Sequence, residues 1–120
     1  MSGGEVAKSV LLRADDGSKF VVAVLPADRQ LDLAAAARLI GAKLHLATEL
    51  EIAARCPDCE FGVLPPFGSR YGIRTIVDSS LAEDENIYFD AKTHCEAVRM
   101  SFADYRVLED PLIGVFAADG

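Results

Sequence analysis

The fold turns on one stretch near the start of the chain: Ser9-Val10-Leu11-Leu12-Arg13, then Ala14-Asp15-Asp16-Gly17-Ser18, then Phe20-Val21-Val22-Ala23-Val24-Leu25. Two apolar runs joined by an Asp-Gly turn read as a β-hairpin. The second run is β-branched and apolar throughout, with no polar face to offer water. Its strand is therefore expected to be covered on both sides, while helices or further strands supply the cover.

Working outward, Pro26 closes the second strand. Asp32 stands where an N-cap belongs, ahead of an Ala- and Leu-rich helix over residues 33–40, and Gly41 comes next as its stop. Residues 43–47 alternate weakly as a strand. Thr48 and Glu51 have the spacing of a capping box, opening a short helix to about residue 55. Residues 56–72 hold three prolines and three glycines and form the least regular stretch, a loop long enough to suggest a functional purpose. Strands are expected at 73–77, 86–91 and 96–100, with a short capped turn or helix at 79–85. Ser101 and Asp104 again have capping spacing, before a helix to about residue 108. Pro111 ends that helix, and residues 113–117 read as a last strand. Strands outnumber helices without strict alternation. The expected class is therefore α/β in the broad α+β sense: a mixed, partly rolled sheet with flanking helices.

The chain has 120 residues, the size of one domain, and 51% of them are apolar, enough for one core without staples. The longest apolar run is too short to span a bilayer, and the opening residues lack the pattern of a signal peptide, so a soluble cytoplasmic protein with no membrane partner is expected. Three cysteines are an odd count and no disulfide framework is indicated. Twelve basic against nineteen acidic residues give a net charge of −7, which argues against extensive duplex binding and confines any RNA contact to something short or shared with another protein.

Several groups of residues could carry chemistry. In Phe61-Gly62-Val63-Leu64-Pro65-Pro66-Phe67-Gly68, glycine permits close approach of a ligand to the backbone, while the prolines stiffen the end of the loop and lack N–H donors. Such a loop can hold a backbone amide or carbonyl in place for an oxyanion or an ester, and it can equally be an ordinary rigid crossover. Lys8 precedes the first apolar run, where a lysine is either a solvated strand-edge residue or a cation for a phosphate or a developing negative charge. Cys56-Pro57-Asp58-Cys59 is a CxxC, but its available partners, His94 and Cys95, are adjacent and would point to opposite faces of a strand. No metal and no cofactor is expected, and a zinc- or redox-linked role for Cys56 and Cys59 is the weaker alternative. Glu83-Asp84-Glu85 reads as a solvated face. There is no P-loop, dinucleotide fingerprint, HExxH or nucleophile elbow.

Taken in order, Ala7-Lys8-Ser9-Val10, Val22–Ala27, Leu31-Asp32-Leu33, Ile40–Lys43, Leu46-Ala47, Asp58-Cys59-Glu60, Gly62-x-x-Pro65-Pro66-Phe67-Gly68, Tyr71-Gly72, Val77-Asp78, Ile87-Tyr88-Phe89 and Thr93-His94 resemble the YbaK/prolyl-tRNA-synthetase-associated domain family. The resemblance runs from about residue 5 to 116. It implies a single domain over 1–120, with a partly barrel-like mixed sheet, and without the helical segment that relatives carry before the lysine, since only Met1–Ala7 precede Lys8. It implies hydrolysis of the ester of mischarged aminoacyl-tRNA, of the prolyl-tRNA type and in trans, with neither metal nor covalent nucleophile. The family's lysine maps onto Lys8 and its GxxxP motif onto Gly62 through Pro66. Lys8 and Gly62 are thus the implied catalytic residues. Val63, Leu64, Pro65, Pro66, Phe67, Asp78 and His94 are the implied substrate contacts, and His94 reads as readily as a structural histidine. Lys92 stands where relatives often have glycine. The implied partners are the aminoacyl-tRNA 3′ end, a prolyl-tRNA synthetase and a second copy of the chain through an apolar patch. The alternative function is an inactive binding module of the same fold that holds tRNA ends, a synthetase or a small amino-acid-like ligand.

Overall fold

The computed structural model describes residues 6–14, 20–55, 66–83, 86–90 and 97–119. The hairpin strands are β1 (Ala7–Ala14) and β2 (Phe20–Pro26), paired antiparallel from Ala7 opposite Pro26 to Arg13 opposite Phe20. They form the middle of a five-stranded mixed sheet. β4 (Leu44–Leu46) adds antiparallel to β1, β5 (Arg74–Asp78) runs parallel to β2, and β8 (Leu112–Gly114) runs parallel to β5. Among the described residues the order is β4-β1-β2-β5-β8, an open sheet with two edges and not a closed barrel.

The fully apolar β2 has the placement its composition demands. Val22 and Val24 face one core, with Ala7, Leu11 and Val77 beside them, while Val21, Ala23 and Leu25 face another, with Leu12, Ala14 and Ile76. The second core is covered by α1 (Leu33–Ile40) and Phe116. Asp32 caps α1 by accepting from the Ala35 amide, and Gly41 ends it in the left-handed conformation. The first core is covered by α3 (Ser79–Ala82), by α4 (Phe102–Glu109), and by a hairpin of β6 (Asn86–Asp90) and β7 (Ala97–Ser101). A parallel bridge from Val6 to Tyr88 joins that hairpin to the entry of β1.

The capping box is reciprocal. The Thr48 hydroxyl accepts from the Glu51 amide while the Glu51 carboxylate accepts from the Thr48 amide, which starts α2 (Glu49–Arg55). Glu51 also lies 3.5 Å from Nε of Arg13 on β1, a half-exposed pair contributing no more than about 1 kcal/mol.

The final segment departs from expectation. In place of one strand over 113–117 there are two, β8 and β9 (Ala117–Asp119), and β9 pairs antiparallel with β3 (Arg29–Leu31), a strand too short to be anticipated from its sequence. Two features stand at the break. At Gly114 a Cβ would come within 2.5 Å of Leu39 on α1, so only glycine lets the chain pass there without displacing that side chain. Beyond it, the Asp78 carboxylate takes the amides of Phe116 and Ala117, drawing them out of the β8 ladder. Among the described residues no helix is long and apolar enough to cross a membrane.

Candidate functional site

Lys8 is the second residue of β1, directly opposite Leu25. Side chains alternate along a strand. Ala7 and Leu11 point into the first core, so Lys8 stands on the other face, with Val10 and Leu12. It is half-buried, and no hydrogen bond or ion pair joins its side chain to a described residue. β2 and β5 run parallel with Val24 beside Val77, which puts Leu25 beside Asp78. Lys8, Leu25 and Asp78 therefore form one cross-strand row at one end of the sheet, with the backbones of Lys8 and Asp78 two strand spacings, about 10 Å, apart.

Asp78 is 2% exposed, and its carboxylate is fully engaged. Oδ1 accepts from the amides of Phe116 and Ala117, both at 2.9 Å. Oδ2 accepts from the Ser80 amide and, through a very short contact, from the Ser80 hydroxyl, so Asp78 also caps α3. Burial pushes its pKa up, but the Ser80 hydroxyl and the three backbone amides outweigh that and hold it below the usual value of 3.8. A carboxylate with these four bonds fixes protein backbone. Any effect it has on a substrate passes through the residues it holds.

Pro66 and Phe67 occupy the opposite face. The Pro66 carbonyl accepts from Tyr105 Oη at 2.6 Å. The Phe67 ring packs edge-on against Phe89 of β6, with centroids 5.6 Å apart, and against Tyr105 at 5.4 Å. β6 thus touches both the entry of β1, through the Val6–Tyr88 bridge, and the base of the Pro-rich loop, through Phe89. The structure brings the start of the Lys8 strand and the loop base to this one corner, while the Lys8 side chain and the Phe67 ring lie on opposite faces of the sheet. Gly62, Val63, Leu64, Pro65 and His94, together with Cys56 and Cys59, fall outside the described residues. Among the described residues no three metal-binding side chains cluster.

The loop leaves Phe67 through a 3-10 turn, Gly68–Tyr71, that ends at Gly72 in the left-handed conformation. The Gly68 amide donates to Thr75 Oγ1 at 3.1 Å. Thr75 Oγ1 and the Ser69 hydroxyl each donate at 2.6 Å to the Glu109 carboxylate, which also accepts from the Ser69 amide at 3.0 Å. Sequence reasoning does not single out these residues. The one signal for them is a stripe at helical spacing, Phe102, Tyr105 and Glu109, in which an acid takes an apolar position. Gly68 itself has no room for a side chain: a Cβ would sit 2.6 Å from Thr75 Oγ1 and 2.7 Å from the Ile73 carbonyl. Gly68→Ala is expected to destabilise the chain by about 2 kcal/mol, read as a lower midpoint in urea, because the clash is partly with backbone that cannot turn aside.

Compared with known families, residues 1–108 match the aminoacyl-tRNA editing domain. The chain is 30% identical over 112 residues to the multifunctional Ser/Thr-tRNA deacylase ProXp-y of Escherichia coli (strain K12). The match covers 90% of this chain and 66% of that protein, so the chain spans just under two thirds of its relative's length. Among solved structures it is similar to a candidate trans-editing enzyme for prolyl tRNA synthetase, with TM-score 0.84 and 21% identity over 98% of this chain and 73% of the other. It is also similar to the hypothetical protein APE2540, with TM-score 0.88 and 19% identity over 98% and 77%. At these identities the two structures establish the shared fold.

Proposed function

This chain belongs to the aminoacyl-tRNA editing domain family, and on that premise we propose that it is a trans-acting deacylase that hydrolyses the ester of mischarged aminoacyl-tRNA of the prolyl type. The observation that carries the proposal is the corner at β6, where the entry of the Lys8 strand and the base of the Gly62–Pro66 loop meet. Lys8 is half-buried at the start of β1, and no hydrogen bond or ion pair joins its side chain to a described residue, which supports a role for the ammonium toward a ligand.

In the proposed reaction the backbone at Gly62 holds the aminoacyl carbonyl. Lys8 orients the terminal ribose or phosphate, or stabilises charge on the attacked carbonyl. The oxygen of a water, assisted by the neighbouring ribose hydroxyl, bonds to the carbonyl carbon. The ester C–O bond breaks, and the ribose oxygen leaves with the proton that the water gives up. Position and fixed electrostatics suffice for so activated an ester. Val63, Leu64, Pro65, Pro66 and Phe67 would border the aminoacyl group, and His94 would contact substrate or pass a proton. Asp78 would shape the site by holding residues 116 and 117. With a net charge of −7, the contact with RNA would be limited to the 3′ end, in the cytoplasm, and a prolyl-tRNA synthetase or a second copy of the chain would supply further binding.

The test is hydrolysis of a panel of charged tRNAs: tRNA for proline carrying alanine, cysteine or serine, and other tRNAs carrying serine or threonine, as the name of the E. coli relative suggests. Release of at least one amino acid at a rate proportional to enzyme is expected. Binding of a non-hydrolysable aminoacyl-adenosine analogue with no turnover of any tRNA would replace this reading with that of a binding module. Discrimination by one methylene in the pocket is worth only about 1–3 kcal/mol, so the panel is expected to show graded rates and not a single substrate.

A further inference from the structure

We infer that Tyr105 and Glu109, one turn apart on α4, are positioning residues that fix the base of the Gly62–Pro66 loop and so set the geometry of the reaction. The inference rests on the function proposed above. Residues at i and i+4 share a helix face. Here that face reaches two successive points along the chain leaving the loop: Tyr105 holds the Pro66 carbonyl, and Glu109 holds Ser69 from both its amide and its hydroxyl. Thr75 ties Gly68 into the same network from β5. Proline has no N–H, so its carbonyl is the one backbone polar group by which Pro66 can be oriented.

The chemistry of the two side chains fits a fixing role better than simple filling of a core. Tyr105 is completely buried and Glu109 is 8% exposed. A buried carboxylate carries a desolvation penalty that an apolar residue of the same size would avoid, and such groups are retained where they specify one arrangement over others. Burial first, and the negative charge of Glu109 second, push the Tyr105 phenol far above its ordinary pKa, so its hydroxyl stays a donor to Pro66 throughout the working pH range. A reacting group displaced by about 1 Å can lose on the order of 100-fold in rate.

The experiment uses the full chain carrying Tyr105→Phe, which removes one oxygen, and Glu109→Gln, which keeps the shape. Two readouts are taken well below the melting temperature: kcat and KM on whichever mischarged tRNA the wild type hydrolyses, and hydrogen exchange at the amides of Phe67, Gly68 and Ser69. In both variants kcat is expected to fall about 10- to 100-fold with KM within about threefold, and those amides to exchange at least tenfold faster. Leu44→Ala, in the other core, serves as the control for lost stability alone and is expected to leave kcat within twofold. Unchanged kcat in Tyr105→Phe, or unchanged exchange at the three amides, would overturn the inference. A wild type that hydrolyses no tRNA in the panel overturns the proposed function instead, and the hold of α4 on the loop base is then judged by exchange alone.

Discussion

Lys8→Ala is expected to lower kcat/KM for mischarged tRNA by about 100- to 1,000-fold while leaving the melting temperature within a few degrees of wild type. The rate effect has the size found when a donor to a developing oxyanion is removed from a site shielded from water. The small stability effect comes from the surroundings of the side chain. The Lys8 side chain forms no hydrogen bond or ion pair with a described residue, so its truncation orphans no described partner. What is lost is the packing of its aliphatic stem beside Leu25, worth less than about 1 kcal/mol for a half-exposed residue. Lys8→Arg separates two roles. If the ammonium only balances phosphate charge, arginine should retain most of the activity. If it sits close to the attacked carbonyl, the larger planar group should restore little, since the two cations differ in shape and hydration. Steady-state deacylation alongside thermal unfolding checks both. An alanine variant that is folded and turns over at the wild-type rate would remove Lys8 from the mechanism, and the Gly62 backbone would have to act without it.

The legibility of this chain in its sequence is uneven, for physical reasons. The apolar run 20–25 announces a strand buried on both faces, and β2 has two cores against it. Local cap chemistry is equally plain: Asp32, the Thr48–Glu51 pair and Ser101 all cap the helices their spacing suggests. Interactions set by partners far along the chain cannot be read locally. β3 is three residues long, and its pairing with β9 depends on residues almost ninety positions away. The Asp78 side chain looks like a site residue because of where it falls in the family pattern. Its bonds to residues 116 and 117 have no local trace. Glu109 gives only the faint sign of an acid at an apolar position of the α4 stripe, and an acid near a helix end normally faces water. The family resemblance locates Lys8 and the Pro-rich loop. Only the topology, with β6 touching Val6 and Phe67, places the entry of β1 and the described base of that loop at one corner.

Asp78→Ala is expected to cost about 3–5 kcal/mol, lowering the melting temperature by roughly 10–20 °C, a larger stability loss than that of Gly68→Ala or Lys8→Ala. The change leaves the Phe116 and Ala117 amides without their acceptor, and Phe116 is itself 1% exposed, so water cannot readily take the place of the carboxylate. Each buried donor left unsatisfied costs about 1–3 kcal/mol, and loss of the α3 cap adds about 1 kcal/mol. Because Asp78 binds the segment between β8 and β9, the damage should concentrate there. Faster hydrogen exchange at residues 116 and 117, and at Arg29 and Leu31 in the paired strand β3, is expected before any change in β1 or β2. The pH dependence gives an independent check. The folded pKa lies below the usual 3.8, so the unfolded chain takes up its proton first as pH falls. The ionised form therefore contributes its full stability above the unfolded value and loses it as pH drops through the lowered folded one. The stability difference between wild type and Asp78→Asn, which keeps one acceptor oxygen but cannot ionise, should be constant from about pH 7 to 5 and shrink steadily below about pH 4. A difference that stayed flat down to about pH 2 would mean that the carboxylate charge plays no part in holding residues 116 and 117, and that the geometry of a neutral acceptor is enough.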